Sequence, residues 1–406
     1  MLEFIIAIIL GIGVGIFTGL SPGIHINLIS VILLSFYSSF SEINPFFLVI
    51  FIVSMAIAHT FMDFIPSVFL GAPDENSFLS ILPGHQLLLQ GKGYAAIVYT
   101  LYGSIMGFFV VIFYTPIFIY VLPKIYPLLQ NIMAPILILI SLILIFSEEK
   151  EKRLLAFFIF ILAGFLGIAT LNLNVKEPLL PLFTGLFGAS SLIISLHQKT
   201  KIPEQKIIPL HKIRLSLRMI RRTMSAAVIA SPFTAFLPGL GTSQAALIGK
   251  QLMKIDDQRQ FLFLLGAINV IVMGLSFITL YSIGKMRTGA AVAVSQLLPE
   301  FSRTHLYLIL LTIVLAGMIS FVIAILFSKL AAKYIYKVPY EILSKVTLLF
   351  LFVLVLFFSD FSIRGSIIGL IILVTATALG IFTISSEVKR IHLMGCLLIP
   401  TIFFYI

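Results

Sequence analysis

The stretch Gly19-Leu20-Ser21-Pro22-Gly23-Ile24-His25-Ile26-Asn27 is matched, just past the middle of the chain, by Phe236-Leu237-Pro238-Gly239-Leu240-Gly241-Thr242-Ser243-Gln244. Each is a Pro-Gly break followed by small or amide side chains, set between strongly apolar arms. Proline removes a backbone donor and glycine permits φ > 0, so a helix is interrupted at both places. In lipid, freed backbone groups survive only when buried in protein or lining a polar cavity. A matched pair of interruptions in two halves of a membrane chain points to a transporter's binding site.

Outward from the breaks, composition decides the solvent. Of the 406 residues, 60% are hydrophobic and 11% charged, against roughly 25% charged in soluble domains. The chain reads as a polytopic membrane protein whose constant partner is the lipid bilayer. Its net charge of +11 is scattered singly or confined to loops between apolar runs. That is the pattern of the positive-inside rule, not of nucleic-acid binding. Cys396 is the only cysteine, which leaves no disulfide and no thiolate metal site. The first apolar run, Leu2 to Leu20, lacks a basic flank and a small-residue cleavage site, so it reads as retained membrane segment.

Runs close to the 20 residues needed to cross a bilayer follow the first break at 45–70, 94–121, 127–146, 154–170 and 178–196. After the longest hydrophilic loop, 197–222, the layout repeats. A broken stretch 223–251 leads to runs at 260–283, 304–327, 341–358, 365–384 and 391–406. The arms 223–237 and 242–251 are each too short to span, so a re-entrant hairpin is expected there, and by analogy at the first break. The expected fold is all-α: two inverted-topology repeats with about ten transmembrane helices and two re-entrant helical hairpins. The repeats are expected at 1–196 and 223–406, joined by a basic linker at 197–222. The arm Met1 to Leu20 is long enough to span by itself, which would break that symmetry.

Charge gives a second handle on topology. If the linker is cytoplasmic, so are the segments around 72–93, 147–153, 250–259, 328–345 and 385–390. That side then holds 21 of the 27 Lys and Arg residues, and the other side holds six. Both termini are expected outside, in a multi-pass protein of the cell membrane. The linker itself reads as a basic, partly amphipathic segment on anionic headgroups, or as a docking site for a partner.

Polar residues at membrane depth are the candidates for function. After the breaks the helices restart with hydrogen-bonding residues. Ser21, Pro22, Gly23 and Asn27 with Pro238, Gly239, Gly241, Thr242 and Ser243 form an expected substrate cradle, because half-helix N-termini suit an anion. The alternative is close helix packing and ordinary capping. Asp63 lies inside run 45–70, four residues after His59 and on the same helix face. Either it couples transport to a proton or Na⁺, with His59 tuning it, or the two form a neutral hydrogen-bonded pair. Asn269, mid-membrane in run 260–283, is a further site candidate. Asn76 and Ser77 are expected to face the cavity, and Arg287 to hold an anion in bidentate fashion if the fold brings it near. No metal-binding cluster and no intramembrane protease motif is present, so no cofactor is expected beyond Na⁺ as a coupling ion.

The chain resembles the large membrane subunit of tripartite tricarboxylate transporters, the TctA family. Gly15, Gly19, Pro22 and Gly23 match its first-half pattern. Gly71, Pro73, Gly84 and Gly91 match its next segment, and Pro238, Gly239, Gly241, Ala245 and Ala246 match its second-half pattern. Where the family carries an Asn-rich EAANNA stretch, this sequence has Gly266-Ala267-Ile268-Asn269-Val270. The resemblance is to a divergent branch of archaeal type. It implies a permease for a small anionic substrate, a carboxylate, and adds Pro73 to the cradle. It also implies a small membrane subunit and an extracytoplasmic binding protein as partners; a homo-oligomer is compatible with it. The competing readings are a non-transporting scaffold subunit, or an intramembrane enzyme acting on a lipid-linked substrate.

Overall fold

The computed structural model describes residues 2–21, 30, 33, 44–70, 81–197, 202–236, 241–360 and 362–406. Among these residues the regular structure is all helical. The first half contributes α1 (Leu2–Leu20), α2 (Pro45–Met62), α3 (Phe64–Leu70), α4 (Ile81–Leu89), α5 (Gly93–Asn131), α6 (Met133–Phe146) and α7 (Arg153–Asn172). It ends with α8 (Leu179–Phe183), a π-helical turn (Thr184–Ala189) and α9 (Ser190–His197). The second half contributes α10 (Leu217–Phe236), α11 (Thr242–Leu252), α12 (Gln258–Ile283), α13 (Gly289–Leu297), α14 (Arg303–Tyr334), α15 (Tyr340–Phe358), α16 (Ile363–Ser385) and α17 (Gly395–Tyr405). Nine helices among the described residues are long and apolar enough to cross a membrane, and Met133–Phe146 and Arg390–Tyr405 are shorter apolar helices. The chain is a multi-pass membrane protein.

Three boundaries differ from the sequence reading. Run 45–70 is interrupted at Asp63, where α2 gives way to α3. Pro66 lacks an N–H, so the Met62 carbonyl loses its partner four residues on. Further along, α5 extends to 39 residues and keeps Pro116, Pro123 and Pro127 inside it. It thereby takes the start of run 127–146 and leaves α6 only 14 residues. Membrane helices tolerate proline because neighbours re-satisfy the freed carbonyls. Finally, α17 has 11 residues after a 3₁₀ turn, because Arg390–Met394 winds more tightly.

Packing between helices depends on small residues, as expected where lipid removes the hydrophobic drive for association. On α5, a side chain at Gly103 would place its Cβ 1.9 Å from the Phe263 carbonyl oxygen on α12. In return, Gly266 presses its bare Cα against the Thr100 carbonyl, and Ser104 Oγ donates to Gly266 O at 3.2 Å. These contacts run in parallel, from Gly103–Phe263 to Val111–Gly274. In contrast, α2 runs antiparallel to α5, with Phe61 stacked on Phe108 and Phe69 beside Gly93. The pairs Phe108–Gly317 and Tyr102–Phe321 likewise set α14 antiparallel to α5. Thus α2 and α14 point one way, and α5 and α12 the other.

The buried side chains form two main cores. One gathers α1 to α5 with α10 to α14. The other gathers α6 to α8 and the π-helical turn with α16 and α17. Ile248 on α11 packs against both. The loops that the charge count places on one side are also tied to one another. Gln205 bridges to Gly93, Arg222 to Met253 and Lys152 to Glu387. Glu148 is 5% exposed. It accepts from the Lys389 N–H at 3.0 Å, pairs with Lys389 Nζ at 3.2 Å, and shares a hydrogen bond with His392 Nε2 at 3.0 Å. Burial alone would raise its carboxyl, but the Lys389 amide, the His392 ring and the Lys389 ammonium together hold it below the ordinary glutamate value.

Candidate functional site at the depth of the helix breaks

The most buried helices carry the polar residues at membrane depth. From Val49 to Phe69, α2 and α3 are buried on nearly every face, as is α12 from Gln260 to Ile271. Asp63 and His59 are 3% exposed and Asn269 is 2% exposed. The structure joins two of these across the halves. Asn269 Nδ2 donates to Asp63 Oδ2 at 3.2 Å and to the Thr60 carbonyl at 3.4 Å. The Asp63 N–H bonds His59 O at 2.9 Å, and Ser67 N–H reaches Asp63 O at 3.3 Å. A carboxylate oxygen, a side-chain amide and the Thr60 carbonyl therefore meet at one kink. These are the oxygen donors with which transporters hold Na⁺ or move a proton.

His59 takes another direction. Its Nδ1 lies 3.1 Å from Thr18 Oγ1 on α1, and the same hydroxyl reaches Gly15 O at 3.2 Å. This polar link is possible because α1 and α2 run side by side in parallel with little between them. A Cβ on Gly15 would stand 2.4 Å from the Met55 carbonyl oxygen, and one on Gly19 would stand 2.6 Å from Met62 Cβ. Two glycines of the first break's approach thus serve close packing. They bring Ser21, at the end of α1, to within about one turn of the level of Asp63.

The second break belongs to an antiparallel helix pair. Arg222 Nε donates to Met253 O at 2.6 Å, and Gly249 packs on Ala226 and Ala230, which fixes α10 against α11 in register. At the start of α11, Gln244 Oε1 accepts from the Gly241 N–H at 2.9 Å. Thr242, Ser243 and Gln244 are all buried, at 1%, 0% and 0% exposure. The first N–H groups of a helix have no acceptor within it, so its N-terminus presents donors and positive potential. The Lys250 ammonium sits 5.2 Å from the centre of the Phe261 ring, which aligns α11 with α12. Thr242 lies eight residues from Lys250, and Asn269 lies eight from Phe261. At about 1.5 Å per residue both sit roughly 12 Å from that reference. The end of α1, the Asp63 kink and the start of α11 therefore share one depth.

Arg287 is placed elsewhere. Helix α12 continues for 14 residues beyond Asn269, roughly 21 Å, and ends in a left-handed cap at Gly284. Half-buried Arg287 then faces the phenols of Tyr126 and Tyr405; burial lowers its guanidinium and those two groups oppose the shift. It is not brought to the Asp63–Asn269 pair. Pro22, Gly23, Asn27, Pro73, Asn76, Ser77, Pro238 and Gly239 lie outside the described residues. Sequence reasoning missed Thr18 and the Thr60 carbonyl. Thr18 looked like one more small residue in an apolar run, and a backbone carbonyl carries no residue identity to read.

The profile of the tripartite tricarboxylate transporter TctA family matches residues 5–395. An uncharacterized protein of Methanocaldococcus jannaschii is 30% identical over 409 residues, covering 98% of each chain. No solved structure matches the chain. With that profile matched over nearly its whole length, the chain belongs to the tripartite tricarboxylate transporter TctA family, a family of membrane transporter components.

Proposed function

We propose that this chain is the permease subunit of a secondary active transporter, moving a small carboxylate by alternating access coupled to Na⁺ or H⁺. The observation that carries the reading is the shared depth of Ser21, the Asp63–Asn269 contact and the buried start of α11. Asp63 and the carbonyls at its kink take the coupling cation. Gly241, Thr242 and Ser243 hold the carboxylate, with Ser21 and Asn269 opposite. Pro22, Gly23, Asn27, Pro73, Asn76, Ser77, Pro238 and Gly239 are assigned to substrate binding from their sequence pattern. His59 acts through α1, keeping the Asp63 kink in place.

Inverted repeats are part of the proposal. Their support is the order and direction of elements. The segments Pro45–Leu70 and Gln258–Ile283 each have 26 residues, and α4 and α13 each have nine. Each of α2 and α5 runs opposite to its counterpart, α12 and α14. Counting α1 as a hairpin arm leaves eight long spans and two short apolar helices, the even set that two five-crossing repeats require. The charge-rich loops then face the cytoplasm of a cell-membrane protein, with both termini outside. A small membrane subunit, an extracytoplasmic binding protein and self-association follow from the family as proposed partners.

The test is uptake of labelled di- and tricarboxylates by proteoliposomes under imposed Na⁺ or pH gradients, with the family's partner subunits supplied. Asp63→Asn is expected to abolish the cation dependence while leaving folded protein intact. Unchanged cation dependence in that variant removes Asp63 from the coupling role.

A further inference from the structure

At the charge-rich end of the molecule, a cavity of about 440 Å³ opens where three parts of the chain meet. One wall is the α4–α5 corner, the second is the segment 206–213 between the halves, and the third is the start of α12. The interhalf segment is not draped loosely there. Gln205 is 6% exposed; its Oε1 accepts from the Gly93 N–H at 2.8 Å and its Nε2 donates to Leu88 O at 3.0 Å. Lys206 N–H donates to Gly91 O at 2.8 Å, where Gly91 holds a φ of +72° that a side chain would resist. Tyr102 donates its hydroxyl to Leu210 O at 3.1 Å, and Ile213 is 2% exposed.

The cavity is amphipathic. Its floor is apolar, with Ile208, Ile213, Leu87 and Ala95. Its rim carries Lys92, Lys212 and Arg259 against a single acid, Asp257. That acid is already matched: Arg259 Nη2 lies 2.6 Å from Asp257 Oδ2, and Arg259 Nε lies 3.1 Å from Oδ1. The Lys92 and Lys212 ammoniums are therefore uncompensated within the rim. The long apolar spans on either side begin at Gly93 and Gln258, so the rim sits at headgroup level and the floor faces the hydrocarbon boundary. Next to the floor, Ile207 is 45% exposed on the same segment, which suits an acyl chain more than water.

We propose that this cavity binds the phosphate headgroup of an anionic phospholipid, with Lys92 and Lys212 as the phosphate contacts and Ile208 and Ile213 beneath the acyl chains. Ammonium groups serve as point-charge phosphate ligands, and basic residues at the membrane surface gain strongly from anionic lipid. The lipid would tie the interhalf segment to the first wall and to α12 at once. This site is independent of what the membrane interior carries.

The experiment is a thermal-unfolding titration of the purified full chain in neutral detergent. The probes are phosphatidylglycerol, phosphatidylcholine with the same acyl chains, and inorganic phosphate. Phosphatidylglycerol is expected to raise the melting temperature saturably, and the other two are not. In Lys92→Gln/Lys212→Gln the half-saturating concentration rises roughly tenfold or more. In Lys329→Gln/Lys333→Gln, which removes two cations of the same side away from the cavity, it is unchanged. Equal stabilisation by both lipids overturns the site. So does an equal loss in the two double variants. Stabilisation by inorganic phosphate at the concentration of the lipid overturns the lipid assignment in favour of a free-anion site.

Discussion

Removing the Asn269 amide tests the contact that joins the two halves at Asp63. In Asn269→Ala, the Asp63 carboxylate loses a donor at 3.2 Å and the Thr60 carbonyl loses one at 3.4 Å. A hydrogen bond to a charged acceptor contributes about 1.5–3 kcal/mol and one to a neutral carbonyl about 1 kcal/mol. Interhelical bonds inside membranes average about 0.6 kcal/mol, and both of these are long, so the low end applies. The expected loss is about 2 kcal/mol. Asp63→Asn keeps an acceptor oxygen in the same place, so it should cost under about 1 kcal/mol. With the carboxylate gone, deleting Asn269 should then cost less than it does in the wild type, leaving a coupling energy of about 1 kcal/mol. The assay is denaturant or thermal unfolding of the four proteins in one detergent. If Asn269→Ala matches the wild type, or if the two substitutions simply add, the contact does not join the halves as described.

Two further perturbations address the frame around the site. A Cβ on Gly249 would lie 3.3 Å from Ala226 Cβ, near the separation disulfides use. Ala226→Cys/Gly249→Cys, in a background where buried Cys396 is replaced by Ala, should therefore cross-link under mild oxidation; failure to cross-link in folded protein refutes the antiparallel α10–α11 pairing. Glu148→Gln should cost about 2 kcal/mol at neutral pH, since charge-assisted hydrogen bonds are lost. The folded-state pKa of Glu148 is lowered, so its contribution is full above the ordinary glutamate value and is lost as pH falls through the lower folded value. Stability measured against pH should show wild type and variant converging in acid; a gap that persists there rules out the charged form as its source.

The fold class was legible because membrane spans depend on run length and on where charge is withheld. The positions of Asp63 and Asn269 were legible for the same reason: a polar side chain at mid-membrane stands out. That they touch was not legible, because α12 is seated by its close packing on α5 through Gly103 and Gly266, whose partners are backbone atoms. The long reach of α5 through three prolines was also hidden. Proline reads locally as a stop, whereas neighbouring helices decide whether the freed carbonyls are tolerated. Arg287 was drawn toward the site by its charge, yet it lies about four turns of α12 beyond Asn269. His59 lies one turn before Asp63, but its hydroxyl partner comes from α1, which sequence spacing does not reveal.

In the proposed mechanism a carboxylate and a coupling cation meet at the depth shared by the helix breaks. Its most direct test is equilibrium binding of labelled di- and tricarboxylates to the purified chain, with and without Na⁺ and across pH. Saturable binding is expected that requires Na⁺ or a proton, is lost in Asp63→Asn, and is weakened in Thr242→Val and Ser243→Ala. Binding that ignores the cation and survives all three substitutions would contradict it.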